Sequence, residues 1–103
     1  MSSGIRFTGT EMRYIALFES ITGANVRDCI IDEDASRIIF VVKEGEIGVA
    51  IGKQGKNIHL LEKMTGKKHE IIEHSENPAQ FIKNALRPAR VMEIRITERP
   101  DGR

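Results

Sequence analysis

Apolar residues recur along this chain at two different spacings, and the spacing divides it into elements. Between Arg37 and Lys43, the run Ile-Ile-Phe-Val-Val puts Ile38, Phe40 and Val42 on one side of an extended chain and Ile39 and Val41 on the other. A strand that is apolar on both sides belongs in the middle of a sheet. Val26 to Ile31 reads as a second strand, joined to the first by the polar turn Asp32-Glu33-Asp34-Ala35-Ser36, so the two should be antiparallel. His69 to His74 gives a third. Ahead of them, Tyr14, Leu17, Phe18 and Ile21 fall at helical spacing behind a capping box, Thr8-Gly-Thr-Glu11, and Gly23 is a reasonable stop.

Two more helices lie between the central strand and the third. A short one runs from about Glu46 to Ile51. A longer one runs from Lys56 to Thr65, with Ile58, Leu61 and Met64 (and Leu60) as its inward stripe and Gly66 at the C′ position. A connection of this kind normally makes a right-handed crossover between parallel strands. The expectation is therefore an α+β fold with a three-stranded mixed sheet covered by helices on one face.

Beyond residue 76 the pattern starts again. Asn77 and Pro78 are an N-cap and first-turn pair for a helix to Leu86, with Phe81, Ile82 and Ala85 as its apolar face. Val91 to Thr97 then alternates like a strand. At an offset of 65, Ala89-Arg90-Val91 falls on Ala24-Asn25-Val26, and Ile94 and Ile96 fall on Cys29 and Ile31. Such a repeat of one helix and one strand divides the chain into a unit at 1–75 and the start of a second, incomplete unit at 76–103.

Composition narrows the chemistry. With 103 residues, 40% hydrophobic content and no Trp, the core must rest on Ile, Val, Leu and Met. The net charge is only +1, but it is unevenly spread. From Gly52 to Lys68 the local balance is +4, and from Asp28 to Asp34 it is −4, which suits one nucleic-acid face rather than a general basic coat. The single Cys29, in an apolar strand, leaves no intramolecular disulfide and suggests a buried, reduced thiol. No apolar run approaches the roughly 20 residues needed to span a membrane. Arg6, Glu11 and Arg13 break any signal-peptide core, so a cytoplasmic protein is expected.

Catalytic and metal chemistry find no support. The acidic turn has Arg37 where a calcium loop needs Gly, and it lacks the terminal Glu. His59, His69 and His74 have no cysteine near in sequence to complete a zinc set, so structural or solvated roles are favoured. No nucleophile elbow or carboxylate pair is present. The chain reads as a non-enzyme with no cofactor and no small-molecule substrate.

One stretch does carry chemistry. In Ile51-Gly52-Lys53-Gln54-Gly55-Lys56-Asn57-Ile58, two glycines three apart enclose Lys53 and Gln54. Glycine permits positive φ and puts no Cβ in the way of an approaching group. The helix that follows aims its free N–H groups at the same gap, and Lys53 and Lys56 add charge there. The part suits a phosphodiester backbone. It is not a Walker loop, because Lys53 stands where the second glycine is required, nor a dinucleotide fingerprint, because residue 50 is Ala.

With its flanking helices and strands, this motif resembles the GXXG loop of a KH domain, and residues 8 to 74 resemble the type II KH arrangement. The longer phrase V-V-K-E-G-E-I-G-V-A-I-G-K-Q-G-K-N-I is similar to the first KH domain of NusA-like transcription factors, particularly the short archaeal form made of two KH domains. That resemblance implies a module for single-stranded RNA in transcription elongation or termination, with RNA polymerase as a second candidate partner. It implies that Gly52, Lys53, Gln54, Gly55, Lys56 and Asn57 hold the sugar–phosphate backbone. Ile47, Gly48, Val49, Ile51 and Ile58, with the edge of strand 69–74, would form an apolar groove for bases. The alternatives are a protein-docking KH module on RNA polymerase or the ribosome, and a KH module of ribosome assembly.

Overall fold

The computed structural model of the chain describes residues 8–90. Its elements are α1 (Gly9–Thr22), β1 (Val26–Asp32), β2 (Arg37–Val42), α2 (Ile47–Ile51), a 3-10 turn (Lys53–Gly55), α3 (Lys56–Thr65), β3 (Lys68–Glu73), α4 (Pro78–Leu86) and β4 (Ala89–Arg90). Local chemistry sets several of the boundaries. The Thr8 hydroxyl accepts from Glu11 N–H at 3.1 Å while the Glu11 carboxylate accepts from Thr8 N–H at 2.9 Å, which is the expected capping box. Asn77 Oδ1 accepts from the N–H groups of Ala79 and Gln80, with Pro78 following at the first helical position.

The sheet is mixed, in the order β1-β2-β3-β4. β1 and β2 are antiparallel, and β2 and β3 run parallel from Arg37↔Lys68 to Val42↔Glu73. The fourth strand exceeds the expected three. Beyond α4 the chain turns back through Arg87 and the buried Pro88, and Ala89 and Arg90 pair with Ile71 and Glu70 on the outer edge of β3. An edge strand offers unpaired backbone groups to any segment brought beside it, and here the chain's own next segment takes them. The strand expected at 91–97 lies outside the described residues.

Strand register decides where the core sits. Ile38, Phe40, Val42 and Ile71 share one face, with Cys29 opposite Phe40. Onto it α1 lays Phe18, α2 Ala50, and α3 Ile58 and Leu61, all essentially without exposure. Phe18 stacks on Phe40 with centroids 4.2 Å apart, and Phe40 on His69 at 5.6 Å, so three elements are tied through one aromatic column. Leu60 and Met64 depart from expectation. They are 40% and 57% exposed, outside the core stripe. At about 100° per residue, Leu60 lies roughly 200° round the helix from Ile58, and only the narrow Ile58–Leu61 arc reaches the sheet.

The opposite face of the sheet carries a charge ladder with one member from each strand. Arg37 Nε lies 3.1 Å from Asp32 and its Nη1 3.0 Å from Glu70, while Arg90 Nε approaches Glu70 at 3.6 Å. The Ala35 N–H, and then Arg37, hold the Asp32 carboxyl below its ordinary range. α4 meets the sheet through polar and aromatic groups: Asn84 Nδ2 donates to the Glu73 carbonyl at 2.9 Å, and Phe81 meets His74 edge-on at 5.0 Å. Of its expected apolar face only Phe81 is partly covered, whereas Ile82 stays 61% exposed and Ala85 exposed. Cys29 is buried, and burial, with Glu11 and Asp28 adding, pushes its thiol up to about 12. It stays protonated and unreactive.

His69 is 1% exposed, and its Nδ1 lies 3.0 Å from the Lys67 carbonyl, which only accepts, so that nitrogen carries the proton. Burial lowers its pKa from the ordinary 6.5, against opposing effects of the Lys67 carbonyl and Glu62. The unfolded chain therefore takes up this proton first. The stability linked to neutral His69 is whole above about pH 6.5 and is lost as pH falls from there toward the lowered folded value. Thermal melts are expected to show Tm falling between pH 7.5 and 5, and falling less in His69→Leu, whatever that variant's absolute stability. Parallel pH profiles would take His69 out of the account.

Candidate nucleic-acid interface

α2 and α3 must reverse direction within a few residues, and the glycines make the reversal. Gly52 sits at φ 80°, ψ 167° and Gly55 at φ 75°, ψ 14°. The first of these conformations belongs essentially to glycine. Space forbids a side chain there as well: a Cβ on Gly52 would lie 2.7 Å from Asn57 Nδ2 and 3.0 Å from the Asn57 backbone nitrogen. Asn57 is so close because its Nδ2 donates to the Val49 carbonyl at 3.0 Å. That carbonyl, in the last turn of α2, has no intrahelical partner, and the amide of α3 supplies one. Asn57 thus closes the loop from within.

What the closed loop presents is cationic. Lys53, Gln54 and Lys56 are exposed at its tip, with Gln54 itself at φ 57°. They line a shallow depression together with His59. Gly55 is the N-cap of α3 and offers no side chain, so no side chain caps the first-turn N–H groups of that helix. Among the described residues neither Lys53 nor Lys56 is in an ion pair.

Several of the chain's acids are engaged elsewhere. Glu62, the acid nearest in sequence, accepts the His69 N–H at 2.7 Å. Glu46 accepts Asn25 N–H, Glu73 accepts Gly45 N–H, and Glu19 accepts Val26 N–H, each at 2.8 Å or less. Glu33 of the acidic turn lies 3.7 Å from Lys67.

The structure divides the residues singled out in the sequence. Lys53, Gln54 and Lys56 stand together around the depression. Gly48 and Val49 are exposed on α2, Val49 to 52%, while Ile47 and Ile51 are half-buried against the core. Ile58 has no exposed surface and supports the loop from beneath. The β3 edge expected to wall the groove is occupied by β4 at Glu70 and Ile71. His59 was not singled out for this site. The signal that could have found it is its place three residues after Lys56, on the same side of one helix.

The KH domain profile matches residues 12–99. A protein of Methanococcus vannielii described as a probable transcription termination protein NusA is 44% identical over 90 residues, covering 87% of this chain and 51% of that one. Its counterpart in Halococcus morrhuae is 37% identical over 94 residues, covering 91% of this chain and 66% of that one. Against the crystal structure of APE1850, the sequence identity is 46% and the TM-score 0.72, over 76% of this chain and 56% of that chain. The chain spans about half the length of the Methanococcus relative it matches.

Two variants test the loop closure. Gly52→Ala is expected to cost about 1–3 kcal/mol through its backbone conformation, with the contact to Asn57 adding to this. Asn57→Ala should cost about 1 kcal/mol through the lost hydrogen bond. Because the Asn57 side chain is part of the clash, the double variant should lose less than the two losses added, by about 0.5 kcal/mol or more in a denaturation cycle. Simple additivity would mean that the two residues do not meet as described.

Proposed function

The chain belongs to the KH-domain family, and on that footing we propose that it is a non-catalytic module binding single-stranded RNA within a NusA-like transcription factor. One observation carries the reading: an exposed cationic loop, held open by two glycines at positive φ, over the uncapped start of a helix. In this reading Lys53, Gln54 and Lys56, with the backbone of Gly52 and Gly55, hold the sugar–phosphate chain. Ile47, Gly48, Val49 and Ile51 form the side along which bases lie. Asn57 and Ile58 act by shaping the loop. The similarity to archaeal proteins described as NusA supports the transcription role, with RNA polymerase as the protein partner.

The proposed division of the chain, with the RNA-binding unit at 1–75 and a second unit opening at 76, draws on α4. At the offset of 65, its exposed Ile82 and Leu86 fall on Leu17 and Ile21, which in α1 pack against the core. The same exposed pair supports a second reading, in which this face docks on protein.

Replacing both Lys53 and Gln54 with Asp should abolish binding of a short single-stranded RNA, with the melting temperature unchanged because both side chains are exposed. For the parent, two lysine–phosphate contacts predict a log–log salt slope near about −1.4, at roughly −0.7 per contact for single strands. Gly48→Ala offers the converse. Nothing lies within 4 Å of a Cβ at that position. Helix propensity should therefore make the variant more stable by about 0.5–1 kcal/mol, while the added methyl weakens RNA binding. Full affinity in the folded loop double variant would take the loop out of the binding site.

A further inference from the structure

The depression at the loop has a fourth wall outside the glycine motif. We propose that His59 is a backbone-contacting residue of this site, donating a hydrogen bond from its imidazole to a phosphate oxygen of the strand; this rests on the reading of the loop as an RNA site. His59 lines the depression with Lys53, Gln54 and Lys56. Its Nε2 is closed to solvent and has no hydrogen-bond partner among the described residues. Buried polar atoms are normally paired, so this unsatisfied nitrogen, in a residue that lines the depression, gains a partner when the ring turns toward a bound phosphate oxygen.

The chemistry of the lining selects that atom. Two ammonium groups, a carboxamide and an imidazole can all donate, and none of the four carries negative charge. A phosphodiester offers acceptor oxygens and no donor, and complements all of them. Lys56 and His59 lie three apart on α3, and Lys63, exposed and four further on, continues the same face. His59 would thus continue the backbone contact from the loop along the helix. His69 provides the contrast. Its Nε2 is also without a partner among the described residues, but the ring is stacked on Phe40 in the core and takes no part in lining this depression.

The test uses the whole chain and a short single-stranded RNA, following imidazole nitrogen and backbone amide NMR signals together. The His59 nitrogens are expected to shift with the amides of residues 53–56, while those of His69 stay in place. His59→Ala should weaken binding about tenfold, the size of a hydrogen bond to a charged group, and equally for oligo-A, oligo-C and oligo-U, because the contact is to the backbone. His59→Gln, which keeps an N–H donor, should recover most of that loss. Binding within twofold of the parent in folded His59→Ala, or unmoved His59 nitrogens while the loop amides shift, overturns the role of His59 and leaves the loop reading intact. Unmoved loop amides, together with full binding by the Lys53→Asp, Gln54→Asp variant, overturn both.

Discussion

Two neighbouring strands that run parallel cannot be joined by a turn, and that constraint organises this fold. β2 and β3 pair in parallel over six positions, so the chain leaving Val42 must travel back the length of the sheet before it can start again at Lys68. It does so as two helices laid on one face, and helices laid side by side need a sharp corner between them. The corner is the loop Gly52–Gly55. Its tightness follows from the packing beneath it. α2 is five residues long and sits on the sheet through Ala50, whereas α3 is anchored through Ile58, three residues past the loop. With both helices held this close to the corner, the loop has little freedom, and the Asn57–Val49 hydrogen bond removes more. A loop so ordered has already met the conformational cost of holding a ligand.

The same economy governs charge. A chain with a net charge of +1 can still present a cationic loop if its acids are occupied. Glu11, Glu19, Glu46, Glu62 and Glu73 each accept a backbone N–H at a helix start, a strand start or a loop, and Asp32 and Glu70 bracket Arg37. The carboxylates that fix the chain's corners are the ones drawn away from the lysines. Structure and electrostatics are thus one arrangement: the bonds that position β1, β3 and the start of α2 also leave Lys53 and Lys56 without acidic partners among the described residues.

Much of this was legible in the sequence, because local chemistry decided it. The capping box at Thr8, the Asn77–Pro78 start and the Gly66 stop each act within one turn of helix, and the structure places those ends where the residues put them. Ile38, Phe40 and Val42 on one side with Ile39 and Val41 on the other marked an interior strand, since a strand apolar on both sides needs cover on both. What depended on neighbours was not legible. Leu60 and Met64 are apolar, but how wide an arc of α3 is covered depends on the sheet beneath it. The pairing of Ala89 and Arg90 with β3 is a property of an open edge that no local pattern announces. His59 reads as a surface helix residue until the Gly52–Gly55 corner brings Lys53 and Gln54 beside it.

The absence of aromatic side chains from the loop bears on what kind of binding the proposed function allows. Among the described residues, Tyr14, Phe18 and Phe40 belong to the core and its margin, and Phe81 lies against His74. Unpaired bases are commonly held by stacking on aromatic rings, which contributes about 1–3 kcal/mol per base. Here the exposed large apolar residue nearest the loop in sequence is Val49, an aliphatic side chain with no π-face. Affinity on the proposed reading must therefore come mainly from the backbone, through lysine charge and uncapped N–H groups. Such binding is strongly salt-dependent and carries little sequence information by itself. Any preference among RNA sequences must then arise from the shape of the α2 face, where Gly48 leaves room and Val49 fills it.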